Sequence, residues 1–212
     1  MTSLVNRLCT PADPLRVAVL VSGNGGNLQA LFDHQQHNCY RVVVVVANVV
    51  DAFALTRAAH AGVASVIEAH QGLTRAVHEE RVQAHLEEHK VELLVLAGYM
   101  RVLSPWLVGR WPRKIVNVHP ALLPSFPGMH AARQALDHGC RVTGCTVHLV
   151  DAGVDTGPVL LQAAVPVLDE DDEASLQQRI QVQEHRLLPA AVEAFAAGRV
   201  VDVDGRVRCL SA

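Results

Sequence analysis

The chain has 212 residues, half of them hydrophobic, with few aromatic side chains and a formal net charge of -3. This length fits one large domain that buries a full core. The weakly acidic balance, without a block of lysine and arginine, argues against nucleic-acid binding. The longest apolar run, 42–47, is too short to cross a membrane, and we expect no signal peptide. No Cys-x-x-Cys pair occurs among the cysteines, which predicts reduced thiols in a cytoplasmic protein: Cys9, Cys39, Cys140, Cys145 and Cys209.

Residues 1–14, which we call the lead, are polar and contain proline, so we expect a flexible, frayed extension. After the lead, Leu15–Val21 is a continuous apolar run typical of a buried parallel strand. Similar strands are predicted at 41–47, 63–67 and 93–97, and helices at 51–61, 74–89 and after the Ser104-Pro105 cap. This alternation predicts an α/β fold with a doubly wound, mostly parallel sheet and helices on both faces.

A glycine turn, Ser22–Asn27, joins the first strand to an amphipathic segment at 28–36. Such a turn presents free backbone N–H groups at the positive end of a helix dipole, which suits a phosphate. The spacing is not Gly-x-Gly-x-x-Gly, so dinucleotide binding is not specifically indicated. A tight turn that needs glycine only for its positive φ is the structural alternative.

The segment KIVNVHPALLPSFPG, 114–128, reads as a strand that stops abruptly in a proline loop. Side chains alternate along a strand, so Asn117 and His119 share one face, about 7 Å apart. Asparagine is rare in strands, and burying its amide without a partner costs about 1–3 kcal/mol. A reaction centre and a capped strand end both explain this pattern. The glycine turn also lies at the carboxyl end of a strand, where ligands bind in such sheets, and this favours the reaction centre.

The remaining chain predicts a helix at 130–138, strands at 142–150 and 158–167, and a glycine-containing loop between these strands. The acidic run 169–173 is interpreted as the solvated start of a long helix that ends near 197. A C-terminal hairpin is predicted around Asp204-Gly205.

Histidine is frequent, with twelve in the chain. His85-x-x-Glu88-His89 matches a metalloprotease pattern, but no third ligand is evident, and an exposed helix face is the favoured interpretation. His148 points inward on its strand and is interpreted as a satisfied structural residue. Six further histidines are expected at the surface: His34, His37, His60, His70, His78 and His138.

Four motifs occur in a fixed order: SGNGGNLQA at 22–30, AGYMRVLSP at 97–105, NVHPALLPSFPG at 117–128 and VDAGVDTGP at 150–158. Together they resemble the phosphoribosylglycinamide formyltransferase family, the folate-dependent enzymes of purine synthesis. The resemblance runs from about 16 to 198. It implies a Rossmann-like formyltransferase fold, one domain over 15–212, with a ribotide-binding N-terminal half and a folate-binding C-terminal half.

The resemblance also implies roles for single residues. Catalysis is assigned to Asn117, His119 and Asp155. The ribotide, through its phosphate and glycinamide, is assigned to Gly25, Gly26, Asn27, Gln181 and Glu184. The folate is assigned to Arg75, Met100, Arg101, Val102, Leu103, Asn117, Asp151, Ala152, Gly153, Val154 and Asp155. The family further suggests a cis bond before Pro124. Two features depart from the family: Gly26 replaces a frequent hydroxyl residue, and the lead has no match.

The implied reaction transfers the formyl group of 10-formyltetrahydrofolate, as co-substrate, to the amine of 5'-phosphoribosylglycinamide in de novo purine synthesis. A tetrahedral intermediate forms, and its oxyanion needs fixed donors, which Asn117 and a protonated His119 provide. Asp155 close to His119 favours the imidazolium and assists proton transfer. No metal is implied. The partners are small molecules, not nucleic acid or membrane, and a homodimer is compatible with the family.

Three alternatives use parts of the same pattern. A formyltetrahydrofolate deformylase would use water as the nucleophile, but water needs no phosphate site. A methionyl-tRNA formyltransferase would need a basic C-terminal domain. A non-enzymatic nucleotide-binding module fits the fold but does not explain Asn117, His119 and Asp155 together.

Overall fold

In the residues that the computed structural model describes (2–5, 7 and 9–210, without the side chain of 37), seven strands form the central sheet. Their order is β4-β3-β2-β5-β6-β7-β8. β2 to β6 pair in parallel, whereas β7 runs antiparallel to β6, and β8 runs antiparallel to β7. Their bounds are β2 Leu15–Val21, β3 Tyr40–Ala47, β4 Ala64–Ile67, β5 Leu93–Leu96, β6 Ile115–His119, β7 Val142–Leu149 and β8 Val159–Pro166.

Helices cover both faces of this sheet, and the alternation along β2 shows how. Val17, Val19 and Val21 pack in one buried cluster with side chains of α1 and α6, while Ala18 and Leu20 pack in a second cluster with α3 and α4. The α/β, doubly wound prediction is therefore confirmed. The helices are α1 Gly26–His34, α2 Ala54–His60, α3 Arg75–Glu88, α4 Pro105–Arg110, α5 Ala131–Asp137 and α6 Glu173–Ala196.

The long helix α6 begins within the acidic run, as predicted. The Asp172 carboxylate accepts a hydrogen bond from the Ser175 N–H, and the Ser175 hydroxyl accepts one from the Asp172 N–H. This reciprocal cap satisfies two helix-end donors. The preceding Asp171 carboxylate binds the Arg179 guanidinium, which holds the pKa of Asp171 well below its usual range.

The C-terminal hairpin is also present, with β9 Val200–Val203 and β10 Arg206–Cys209 joined at Asp204-Gly205. A third strand, β1 Thr2–Ser3, pairs with β9 and makes a small antiparallel sheet. β1 belongs to the lead, which the sequence did not assign to any sheet.

The described part of the lead is packed against the domain, which differs from the frayed extension that we expected. Arg7 donates from Nε and Nη2 to the two carboxylate oxygens of Glu92, each at 2.8 Å. The same guanidinium donates to the carbonyl of Pro14 at 2.8 Å, and Cys9 is buried in the core. The polar composition of this segment suggested exposure to solvent. A single guanidinium, however, can donate hydrogen bonds to several acceptors at once.

The strand order also fixes where a ligand crevice lies. Within the central sheet, the chain passes first through β2, then outward through β3 and β4, and returns to β5 on the other side of β2. In open α/β sheets, ligands bind at the carboxyl ends of the strands beside such a switch point. Within the described residues, no helix combines the length and apolar character that a membrane span requires.

Candidate active site

Asn117 and His119 lie at the carboxyl end of β6, and Asp155 reaches them from the loop after β7. The Asn117 amide nitrogen is 3.5 Å from Asp155 Oδ1, and His119 Nδ1 is 3.3 Å from Asp155 Oδ2. These three residues, here called the cluster, are thus brought together from separate segments, as the sequence predicted. All three line one cleft of about 560 Å³.

Asp155 is held in place by its own backbone and by the proline loop. It adopts a positive φ of 55°, and its Oδ2 accepts a hydrogen bond of 2.8 Å from the Gly128 N–H. Burial alone would raise the pKa of Asp155, but the contacts with His148, Gly128 and His119 outweigh it and lower the pKa below 3.8. Asp155 is therefore a carboxylate at neutral pH.

The His119 ring is almost fully buried, and both of its nitrogens have defined neighbours. Nε2 lies 2.8 Å from the carbonyl oxygen of Phe126, so this nitrogen carries a hydrogen and donates it. Nδ1 faces Asp155. The carbonyl of Phe126 thereby fixes the ring orientation and leaves Nδ1 as the nitrogen that faces the carboxylate.

His148 is the residue that sequence reasoning missed, because its inward position suggested only a structural role. In the antiparallel β6–β7 pair it lies directly opposite Asn117. Its Nδ1 is 2.9 Å from the Leu149 carbonyl, and its Nε2 is 3.1 Å from the Asn117 amide nitrogen. Because Nδ1 donates to this carbonyl, Nε2 can accept a hydrogen bond from the Asn117 amide and orient it. The sequence offered one signal for this role: His148 points inward on the strand that follows the predicted site strand.

The glycine turn stands at the end of β2, next to the cleft. Gly25 has a φ of 74°, and a Cβ built there would lie 2.8 Å from the Ala54 Cβ, so glycine is required for both reasons. Gly25 is also the N-cap residue of α1, and no side chain makes a capping hydrogen bond to this helix end. The first backbone N–H groups of α1 therefore remain available to an acceptor. From outside, Arg57 donates to the Asn24 carbonyl at 2.8 Å and braces the turn.

Asn27, the second residue of α1, connects the glycine turn to α6. Its amide nitrogen donates to Glu184 Oε2 at 2.9 Å, while its Oδ1 is buried without a hydrogen-bond partner in the described residues. Burial raises the pKa of Glu184, and the bond from Asn27 opposes this shift. Gln181, one turn earlier on α6, is exposed and lines the cleft. The predicted ribotide residues thus surround one corner between α1 and α6.

Nine of the eleven predicted folate residues line the cleft. Several apolar side chains at its mouth are exposed: Met100 and Met129 by 70%, Val102 by 52% and Val154 by 49%. Such a patch is typical of a surface that an apolar ring covers. Two predicted folate contacts, Arg75 and Ala152, are not among the described residues that line this cleft. The predicted residues that do line it are Met100, Arg101, Val102, Leu103, Asn117, Asp151, Gly153, Val154 and Asp155.

The ends of this wall are anchored by side-chain contacts. Before α4, the buried Glu79 accepts a hydrogen bond of 2.7 Å from the Ser104 N–H and a second bond from the Ser104 hydroxyl. In the loop after β7, Asp151 Oδ1 accepts from the Gly153 N–H at 3.0 Å and from the Thr156 hydroxyl at 2.7 Å. The Leu123–Pro124 bond is cis, as the resemblance suggested.

Among the described residues, the remaining histidines do not form a metal site. His85 Nε2 lies 2.9 Å from Glu68 Oε1, and His89 Nδ1 lies 3.0 Å from the His85 carbonyl. No group of three or more His, Cys, Asp or Glu in the described residues is placed to hold a metal ion. The prediction for His78 was wrong: this residue was expected at the surface but is fully buried, with Nε2 2.9 Å from the Glu68 carbonyl. His37 lies outside the described side chains.

Comparison with known proteins identifies the class of protein to which this fold belongs. The chain belongs to the formyl transferase family, whose model matches residues 15–192. It is 44% identical over 194 residues to a phosphoribosylglycinamide formyltransferase of Mycobacterium tuberculosis, covering 91% of this chain and 90% of the relative. The crystal structure of glycinamide ribonucleotide transformylase 1 from Symbiobacterium toebii is 45% identical, with a TM-score of 0.90 over 93% of this chain and 95% of that one. The resemblance predicted from the motifs is thereby confirmed.

A further relative is much longer than this chain. The trifunctional purine biosynthetic protein adenosine-3 of Drosophila pseudoobscura pseudoobscura is 45% identical over 188 residues, which cover 86% of this chain but only 14% of the relative. This chain therefore corresponds to one part of that multifunctional protein.

Proposed function

We propose that this chain transfers the formyl group of 10-formyltetrahydrofolate to the amine of 5'-phosphoribosylglycinamide in de novo purine synthesis. The observation that carries the proposal is the meeting of Asn117, His119 and Asp155 in one cleft. The glycine turn contacts this cleft where the Met100 N–H donates to the Ser22 hydroxyl at 2.8 Å. The similarity to proteins that bear this activity in their names supports it.

The folate supplies an electrophilic formyl carbon, and the chain supplies the groups that stabilise charge on the formyl oxygen. In this proposal the Asn117 amide donates one hydrogen bond to that oxygen. A protonated His119 would donate the second, charge-assisted bond through its Nδ1–H, because its Nε2–H already donates to the Phe126 carbonyl. His148 keeps the Asn117 amide in one orientation, because it lies 3.1 Å from the amide nitrogen. A fixed donor of this kind is worth about 10²–10³ in rate.

Asp155 has the role of proton partner. The attacking amine must lose a proton, and the leaving nitrogen of the folate must gain one. Asp155 is ionised at neutral pH and lies 3.3 Å from His119 Nδ1, so the pair can accept the first proton and deliver the second, directly or through a held water.

The two substrates would enter from opposite sides of the cluster. The exposed apolar residues Met100, Val102 and Val154 suit the pterin of the folate. The α1 N-terminus suits the ribotide phosphate. Asn27, Gln181 and Glu184 would bind the rest of the ribotide. This arrangement places ribotide binding in the N-terminal half and folate binding in the C-terminal half, with α6 serving the ribotide. A cytoplasmic location and a homodimer remain predictions.

A formyl-transfer assay with and without the ribotide tests the proposal. We expect consumption of 10-formyltetrahydrofolate to require phosphoribosylglycinamide and to yield one formylated ribotide per folate. Folate deformylation that ignores the ribotide would instead assign the chain to the hydrolases. Binding of either ligand without turnover would favour a nucleotide-binding module. An exposed-histidine variant, His60→Ala, serves as the control for general damage.

A further inference from the structure

The first residue of α1, Gly26, has no side chain, and an imidazole fills the volume where one would be. A Cβ built at Gly26 would lie 2.9 Å from Nε2 of His185 and 3.4 Å from its Cε1. Real Cβ atoms essentially never approach a heavy atom as closely as the first of these distances, so a side chain at Gly26 would require the His185 ring to shift. The absence of a side chain at position 26 and the placement of His185 are therefore linked.

The position of His185 differs from that of its neighbour Glu184. Glu184 is buried and bonded to Asn27, whereas in the part of the chain that the structure describes the half-buried His185 ring has no hydrogen-bond partner. Burial lowers the pKa of His185, Arg57 lowers it further, and Asp33 opposes the shift. The ring is thus neutral near pH 7 and retains one N–H that can donate to an acceptor.

We infer that His185 gives the ribotide phosphate the side-chain hydrogen bond that Gly26 cannot give. This inference rests on the proposed function, because it assigns a phosphate to the α1 N-terminus. The Nε2 edge of the imidazole lies 2.9 Å from a Cβ built on Gly26, the first residue of α1, and no side chain caps this helix. An anion bound to the first backbone N–H groups of α1 lies within reach of Nε2.

The charges around the turn agree with an anion at this place. Arg57 holds the Asn24 carbonyl at 2.8 Å and the Asn24 side-chain oxygen at 3.2 Å, so a permanent positive charge lies behind the loop. This arginine is committed to the loop, while His185 is not committed to any described residue. A bound phosphate would also favour the protonated imidazole and so strengthen the bond.

The test compares two ligands, phosphoribosylglycinamide and its dephosphorylated form, ribosylglycinamide, by calorimetry on the full chain. We expect His185→Ala to weaken binding of the phosphorylated ligand about 10-fold and to leave the dephosphorylated ligand unchanged. His185→Gln keeps an N–H donor and should retain most of the affinity. An equal loss for both ligands would show that His185 only supports the fold, and no loss for either would overturn the inference.

A double variant tests whether the effect of His185→Ala comes only from the cavity that the substitution leaves. In the double variant Gly26→Ser with His185→Ala, the serine has room, and its hydroxyl should restore binding of the phosphorylated ligand to within about 3-fold of the original. Gly26→Ser alone retains the clash with His185 and should not improve binding. A double variant no better than His185→Ala would contradict the exchange of roles between these residues.

The outcomes also separate this inference from the proposed function. If the unchanged chain binds both ligands equally, no phosphate site exists, and the assignment of the glycine turn fails together with the inference. If the unchanged chain prefers the phosphorylated ligand but His185→Ala behaves like it, the phosphate site stands and only the role of His185 fails.

Discussion

The cluster and the glycine turn stand side by side but are built in opposite ways. In the cluster, side chains hold one another: Asn117 faces His148, His119 donates to the Phe126 carbonyl, and Asp155 accepts from Gly128. At the glycine turn, the N-cap offers no side chain, and the helix donors stay open.

This difference follows from what each region has to do. Groups that stabilise a developing charge are most effective when they are fixed before the substrate arrives. Groups that bind a substrate must be left without protein partners, so that the ligand can satisfy them. Changes in the cluster should therefore lower kcat, and changes at the glycine turn should raise the KM of the ribotide alone.

The largest effect is expected for His119→Ala. Removal of the imidazole takes away a charged donor and the proton partner of Asp155, so kcat should fall by about 10²–10⁴. Folding should be nearly unchanged in circular dichroism. Steady-state kinetics with both substrates measures the effect, and His60→Ala, at an exposed position, provides the matched control. A His119→Ala enzyme with near-normal kcat would remove this residue from the proposed chemistry.

Asp155→Asn should lower kcat somewhat less, by about 10–10³, because the amide keeps the shape but loses the charge. The carboxylate is the active form. Its partners lower its pKa, so the carboxylate is ionised at neutral pH and is lost only as the pH falls through the lowered pKa. The ratio of kcat between the two enzymes should therefore be constant from about pH 8 to 5, where titration of a free carboxyl near pH 4 is not yet felt.

A kcat ratio that already shrinks between pH 7 and pH 5 would mean that Asp155 takes up its proton in that range. The lowered pKa, and with it the description of a fully partnered cluster, would then be wrong. Asp137→Asn, at an exposed position on α5, controls for the removal of one negative charge.

Gly25→Ala addresses the other region. The positive φ and the short distance to Ala54 should distort the turn, raising the ribotide KM about 10-fold with little change in the folate KM. Gly62→Ala is the matched control, because Gly62 has a similar φ of 65° but open space around the added Cβ. A rise confined to the folate KM would contradict the phosphate assignment.

The sequence predicted the elements that carry these two regions, because each rests on a local pattern. Apolar runs mark β2 and β5, and Ser104-Pro105 marks the start of α4. The motif order indicated the family, and through it Asp155. A pairing between distant segments has no such local pattern.

The findings that the sequence did not predict all depend on such long-range packing. His148 became a site residue only through its register against Asn117 in the β6–β7 pair. His185 became relevant only because α6 crosses the first residue of α1. The packing of the lead was missed for the same reason, because Arg7 binds Glu92 and β1 pairs with β9, both of which are distant in the sequence.

The smallest effect is expected for Arg7→Ala, which lies outside both regions and tests whether they are independent of the lead. The Arg7–Glu92 pair is partly exposed, so its loss should lower the free energy of unfolding by about 1 kcal/mol and Tm by about 2–4 °C. Neither kcat nor any KM should change. Arg206→Ala, on the exposed face of the C-terminal hairpin, controls for the loss of one arginine.

The pH dependence of this stability difference follows from Glu92. The hydrogen bonds from Arg7 hold the pKa of Glu92 below 4.5, although burial opposes them. A lowered carboxyl pKa contributes stability above the unfolded pKa, and this contribution is lost as the pH falls through the folded pKa. The difference between the unchanged chain and Arg7→Ala should thus be constant at neutral pH, begin to shrink as the pH falls to the ordinary pKa of a glutamate, and be lost once the pH is below the lowered folded pKa. If kcat falls together with the stability at neutral pH, the lead is coupled to the cluster, and the separation between the two regions and the rest of the fold does not hold.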